Sequence, residues 1–131
     1  MQNHPFKYPK EERLKSRITI DEMFSNGKSV GKYPLRLVFI PVENTKNLPL
    51  QMGVSVSKRY FKRAVDRNYF KRLLREAYRL NKHLLLQEIK QPYAIMFFYQ
   101  TKERLTYTEI EEKTIKLFHK FNEFIKNNPQ V

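Results

Sequence analysis

Arg67, Lys71, Arg75 and Arg79 recur every four residues, a spacing that lines side chains along one helical face because each step of four drifts by only about 40°. Like charges so placed repel one another unless something anionic lies opposite. From Lys58 to Lys82 there are ten basic residues (Lys58, Arg59, Lys62, Arg63, Arg67, Lys71, Arg72, Arg75, Arg79 and Lys82) against two acids, Asp66 and Glu76. Solvated helical faces ordinarily mix signs so that residues four apart can pair. This one is nearly all positive and continues into the preceding loop. The chemistry it suits is the binding of a polyphosphate chain, that is, a nucleic acid. Phe70, Leu73, Ala77, Leu80 and Leu84 recur at three and four on the other side, a face to bury.

Protein-borne catalysis finds little support. The histidines His4, His83 and His119 are scattered, none at metal-ligand spacing from another histidine or a carboxylate pair. The only glycines, Gly27, Gly31 and Gly53, make no phosphate-binding loop. Ser55 and Ser57 lie in a strand pattern without a nucleophile elbow. The acidic pairs Glu11-Glu12, Asp21-Glu22 and Glu111-Glu112 are adjacent in sequence, so on a helix they diverge. No catalytic residue and no protein-bound metal are expected. A second binding signal comes from aromatics near the basic and sheet segments: Phe24, Phe39, Tyr60, Phe61, Tyr69, Tyr93, Phe97 and Tyr99. Most belong in a core, and any on an open sheet face could stack unpaired bases.

The elements that must position these residues follow from period and punctuation. Residues 1–12 read as a flexible basic arm, and 13–127 as one domain. Thr19 or Asp21 caps a short helix carrying Ile20, Met23 and Phe24, ended by Asn26-Gly27. Residues 33–42 alternate as a strand, and 51–57 alternate again and are expected to pair with it as a hairpin. The basic helix runs from residue 63 to about 86. Residues 92–100 are apolar at both parities, which suits a strand covered on both faces or central in its sheet. Thr106 or Thr108 caps a last helix with Ile110, Thr114, Leu117, Phe118, Phe121 and Phe124-Ile125 buried. The fold class is α+β: a sandwich of a small mixed sheet packed by helices, in the order α-β-β-(β)-α-β-α.

With 131 residues and a net charge of +13, the chain is one domain's worth of strongly basic protein. At 40% hydrophobic and 14% aromatic residues it has the composition of a folded domain rather than a basic tail. Without cysteine there is neither disulfide nor thiolate metal site. The longest apolar run, 94–99, is far too short to span a bilayer, and the first ten residues lack a signal-peptide core. A cytoplasmic protein with no membrane partner is expected.

The stretch G-V-S-V-S-K at 53–58, followed by R-A-V-D-R-N-Y-F-K-R-L-L-R-E-A-Y-R at 63–79, resembles the signature of the bacterial ribonuclease P protein subunit. The matching residues are Ala64, Val65, Arg67, Asn68, Lys71, Arg72, Arg75 and Glu76. Arg13-Leu14, then Phe24 and Gly27, are similar to that family's opening pattern, so the likeness covers about residues 13–120. The resemblance implies a protein that binds a catalytic RNA and assists removal of the 5′ leader from precursor tRNA, with no further protein partner required. It implies a helix, reached through a left-handed βαβ crossover, that faces the RNA subunit with Arg63, Arg67, Asn68, Lys71, Arg72, Arg75 and Arg79. A cleft between sheet and first helix would hold the leader, with Phe24, Lys58, Arg59 and Arg13 as its contacts. The cleavage chemistry and its Mg2+ would belong to the RNA. The alternative from another class is a non-catalytic ribosome-associated or single-stranded RNA-binding protein using the same helix.

The chain departs from the family pattern in places. Tyr69 stands where a third basic residue is common, and the loop Arg59-Tyr60-Phe61-Lys62 replaces a glycine-containing turn and is one residue longer. Ile20 and Val38 occupy positions where leader-facing aromatics are common. Of the expected aromatic contacts, only Phe24 carries over.

Overall fold

The computed structural model describes residues 8–43 and 48–128. A short 3-10 turn, Lys10–Glu12, leads into α1 (Arg17–Asn26), β1 (Lys28–Lys32), β2 (Leu35–Pro41), β3 (Leu50–Val56), α2 (Ala64–Leu85), β4 (Tyr93–Tyr99) and α3 (Tyr107–Asn127). The strands form one mixed sheet in the order β1-β2-β4-β3. β1 and β4 flank β2 antiparallel, and β3 lies parallel to β4 across the α2 crossover.

That order corrects the expected hairpin between the strands at 33–42 and 51–57: β4 lies between them. The reason is burial. Odd residues of β4 (Tyr93, Ile95, Phe97, Tyr99) join the core beneath α2 and α3, while Ala94 and Met96 join a second cluster on the other face. A strand apolar on both faces gains most in the middle of a sheet. β1 is absent from the sequence reading because K-S-V-G-K is short and polar, with only Val30 packed on the core, as befits an edge strand.

α1 begins a turn earlier than either expected cap. Ser16 Oγ accepts the Thr19 N–H at 3.2 Å, so the helix starts at Arg17. It stops at Gly27, whose N–H bonds Met23 O at 2.8 Å; a Cβ at Gly27 would lie 2.3 Å from that oxygen. α3 carries a full capping box, Thr106 with Glu109, as one of the two expected caps requires.

α2 buries Phe70, Leu74, Ala77, Tyr78, Asn81 and Leu85, with Leu73 and Leu84 at the margin. The stripe is rotated from the expected one because the helix packs on α3 as well as on the sheet. Asn81 Nδ2 donates to Glu111 Oε2 of α3 at 3.1 Å, and Asn122 Nδ2 of α3 donates to Leu84 O at 2.6 Å. At its start, Phe70 packs against Phe61 (4.8 Å) and Tyr99 (4.7 Å), anchoring the helix to the preceding loop and to β4.

Of the stretch expected as a flexible arm, Tyr8 and Glu12 pack on the domain while Lys10 and Glu11 are exposed; residues 1–7 lie outside the described residues. Arg13 makes a parallel bridge to Met52 on the outer edge of β3, and Leu14 N–H donates to Met52 O at 3.0 Å. The Tyr8 hydroxyl donates to the same carbonyl and its ring stands edge-on to Tyr78 at 5.4 Å. Glu12 is buried, accepting from the Tyr78 hydroxyl and from Lys82 Nζ at 2.9 Å. The charge composition of this stretch hid these contacts, because Glu12 is satisfied only by residues some seventy positions away.

Burial raises the Tyr8 hydroxyl to about 12 from its ordinary 10.0, against the pull of Arg75 and Arg13. Burial, reinforced by Glu12, pushes Tyr78 up as well. A group whose pKa is higher in the folded than in the unfolded chain adds stability that is complete below the unfolded value and is lost above it. The melting temperature is therefore expected to fall as pH rises from 10.0 toward about 12. Unchanged stability across this range would contradict this packing.

Candidate nucleic-acid interface

Most of the residues expected as contacts lie on two surfaces, one on each side of the sheet. The first is the outward side of α2. Its ten-cation stretch does not present ten available cations. Arg79 grips Glu76 with two bonds, Nε to Oε1 at 3.1 Å and Nη2 to Oε2 at 2.7 Å, and Lys82 is held by Glu12. The pairing lowers the Glu76 carboxyl below its ordinary range, with the Arg79 hydrogen bond as the main cause. Arg63 pairs with Asp66 at 3.2 Å. Arg67 turns back on the loop before the helix, its Nη1 donating to Phe61 O at 3.0 Å and Lys62 O at 2.8 Å. It therefore braces the loop that positions the helix start.

On the helix itself the cations that remain are Lys71, Arg72 and Arg75, with Asn68 beside them, while Lys58, Arg59 and Lys62 precede it in the loop. Among the described residues none of the four helix side chains has an ion-pair partner, and Asn68, Arg72 and Arg75 are exposed. Of the seven residues expected on this face, these four lie open, and Arg63, Arg67 and Arg79 are engaged within the protein. The Arg63 side chain is 75% exposed, so a phosphate can exchange for Asp66 there.

The second surface is the sheet face opposite α2 and α3. α1 covers one end of it, where Met23 and Leu14 pack with Ile40, Ala94 and Met96. Ile20 packs on the same cluster, whereas Phe24, one turn on, is 61% exposed. Its ring meets Phe98 of β4 edge-to-face at 6.2 Å. Beyond the helix, the face displays exposed Arg36, whose Nη1 donates to Ser29 Oγ at 2.9 Å. Gly31 lies under that guanidinium: a Cβ there would sit 3.2 Å from Arg36 Nη2. Half-exposed Val38, Ser55 and Phe98 complete an open floor beside Phe24.

Lys58 and Arg59 are exposed in the turn after β3, held by the Arg59 N–H on Ser57 Oγ at 3.0 Å. Arg13 is elsewhere. Its guanidinium lies 5.5 Å from the Tyr8 ring, at the outer edge of β3. With Lys10 and Lys15 it lines a groove of about 870 Å³ on the Thr19 and Glu22 side of α1, whose walls do not include Phe24. The structure thus separates Arg13 from Phe24. Phe98 and Arg36 are the residues the sequence reading missed. The available signal was the double parity of β4, whose even residues must lie on the second face, including the one past the end of α1.

The sequence model of the Ribonuclease P family matches residues 8–122, from the first described residue into α3. A ribonuclease P protein component from Porphyromonas gingivalis is 47% identical over 103 residues, 76% of this chain and 74% of that protein. The chain belongs to the ribonuclease P protein family. The solved ribonuclease P protein from Thermotoga maritima shares the fold with a TM-score of 0.66 at 25% identity, over 82% of this chain and 96% of that one. The Staphylococcus aureus ribonuclease P protein gives 0.65 at 22% identity, over 82% and 93% of the two chains, a likeness of fold. As a ribonuclease P protein component the chain is one part of an RNA-binding endoribonuclease complex of tRNA processing. No helix among the described residues is long and apolar enough to cross a membrane.

Proposed function

We propose that the outward face of α2 binds the ribonuclease P RNA, and that the open sheet face beside Phe24 holds the single-stranded 5′ leader of precursor tRNA. One observation carries the division: the unpaired cations of α2 and the Phe24–Phe98 pair lie on opposite sides of one sheet. α2 buries its apolar side on the sheet, so its basic side cannot also line the floor formed by Phe24, Phe98 and Arg36. Asn68, Lys71, Arg72 and Arg75 suit phosphates of a folded RNA, with Asn68 in the first turns of α2, where backbone N–H groups favour anions. Arg63, Arg67 and Arg79 support that face, the first and last by exchanging their internal partners for phosphate.

Phe24 and Phe98 offer stacking area and Arg36 a cation on the leader side, with Lys58 and Arg59 at the end of β3. Arg13 would act on the RNA from the β3 edge. Bond cleavage and its Mg2+ are assigned to the RNA subunit, and the protein supplies binding and orientation to the complex.

Stacking on an aromatic is worth roughly 1–3 kcal/mol per base. Phe24→Ala is therefore expected to weaken holoenzyme binding of leader-bearing precursor by about tenfold, with mature, leaderless tRNA nearly unaffected. Phe24 is mostly exposed, so its melting temperature should stay close to the parent's. Equal losses for both ligands would remove the leader site from this face.

A further inference from the structure

One exposed aromatic ring lies within the basic face itself. Tyr69 of α2 is 40% exposed, and its ring stands edge-on to buried Phe70 at 5.0 Å and 86°. Two guanidiniums flank it, each 5.8 Å from the ring centroid: Arg72 from the next turn, and Arg104 from the segment joining β4 to α3. A tyrosine among like charges is poorly explained by burial, since Phe70 fills the core position beside it.

Arg104 is held in place by several independent contacts. Its Nη1 donates to Asp66 Oδ1 at 3.1 Å, and its guanidinium packs 5.1 Å from the Phe70 ring centroid and 5.9 Å from that of Phe61. The segment carrying it is pinned in turn. The Tyr99 hydroxyl accepts from Leu105 N–H at 3.0 Å and donates to Glu103 O, and Thr101 Oγ1 accepts from Glu103 N–H at 3.1 Å. The Thr106–Glu109 capping box closes the segment at α3. Even so, the Arg104 side chain is 56% exposed. Asp66 occupies one Nη of Arg104 and the Nε of Arg63, and each guanidinium has five N–H donors, so most remain available to a ligand.

We propose that Tyr69 and Arg104 form a nucleotide-binding element that extends the RNA-subunit contact beyond α2. An unpaired nucleobase of the RNA stacks on the exposed part of the Tyr69 ring, and Arg104 takes an adjoining phosphate, with Arg72 nearby. An aromatic ring beside a preplaced guanidinium suits an unstacked RNA nucleotide, because the base meets a π-face while its phosphate meets a fixed fork of donors. The ordering cost is low, since loop and side chain are already fixed before binding. This element rests on α2 being the RNA-subunit face, and the test separates the two.

The test measures affinity of the full chain for a bacterial ribonuclease P RNA across a salt series, with a melting curve for each variant. Tyr69→Ala and Tyr69→Leu should each bind about tenfold more weakly with an unchanged salt slope, while Tyr69→Phe binds like the parent. Arg104→Gln should lose about fivefold near physiological salt and lower the slope of log affinity against log salt by about one. Tyr69→Leu retains apolar contact with Phe70, so it stays informative if the alanine variant is unstable. Parent-like binding by Tyr69→Leu and Arg104→Gln, or equal loss in Tyr69→Phe and Tyr69→Leu, overturns the element. Lys71→Ala with Arg75→Ala serves as the reference: loss there alone keeps α2 as the RNA face without this element. No loss in any variant overturns the assignment of α2 and the element with it.

Discussion

Replacing Lys71, Arg72 and Arg75 together with alanine is expected to weaken binding of the ribonuclease P RNA by about 100-fold at physiological salt. Each lost phosphate contact is worth roughly fivefold under those conditions, and three removed together should lower the salt slope by about three. None of the three has an ion-pair partner among the described residues, so no internal ion pair is broken. Relief of like-charge repulsion along the helix should leave its stability equal or slightly raised. The melting temperature of the triple variant is therefore expected to match or exceed the parent's. Arg67→Ala should behave differently, because that side chain donates to two carbonyls of the loop before α2 and its loss frees the loop as well. A triple variant that melts early while keeping its salt slope would make these cations structural.

Glu12→Ala carries the largest expected stability loss. The Glu12 carboxylate accepts from the fully buried Tyr78 hydroxyl and pairs with Lys82, the two side chains of that ion pair being 8% and 12% exposed. Removing one partner of a buried charged network costs about 3–5 kcal/mol, a large share of the roughly 5–15 kcal/mol of a typical domain. The melting temperature should fall by about 10 °C or more. Glu12→Gln, which keeps an acceptor for Tyr78 but not the charge, should fall between parent and alanine variant. The contact joins the segment before α1 to the C-terminal half of α2, so hydrogen exchange should quicken in residues 8–14 as well. A change of 1 °C or less for Glu12→Ala would mean that this segment contributes little to the fold.

Much of this architecture is legible in the sequence where a local signal and the tertiary demand agree. α2 is readable because its cations keep four-residue spacing over nearly its whole length. β4 is readable as a central strand because both of its parities are apolar, and α3 because a threonine cap precedes an apolar stripe at three- and four-residue spacing. The misses share one cause, which is that the deciding partner lies far along the chain. β3 alternates as a hairpin strand would, but its neighbour is set by the α2 crossover. Glu12 looks like an arm residue until Tyr78 and Lys82 are beside it. Arg104 stands outside the basic stretch by sequence and within it by position, 3.1 Å from Asp66. On the face proposed for the leader, Phe24 is named from its place near the end of α1. Its companion Phe98 is not, because strand parity alone does not say where α1 stops covering the sheet.

The most direct test of the central claim is leader removal from a precursor tRNA at low magnesium, with ribonuclease P RNA alone, protein alone, and the two combined. The RNA alone should be slow, the protein alone inactive, and the combination fast. The triple variant at Lys71, Arg72 and Arg75 should restore full activity only at high protein concentration. Cleavage by the protein without RNA would contradict the assignment of chemistry to the RNA. A protein that binds the RNA yet leaves its rate unchanged would contradict the assignment of function.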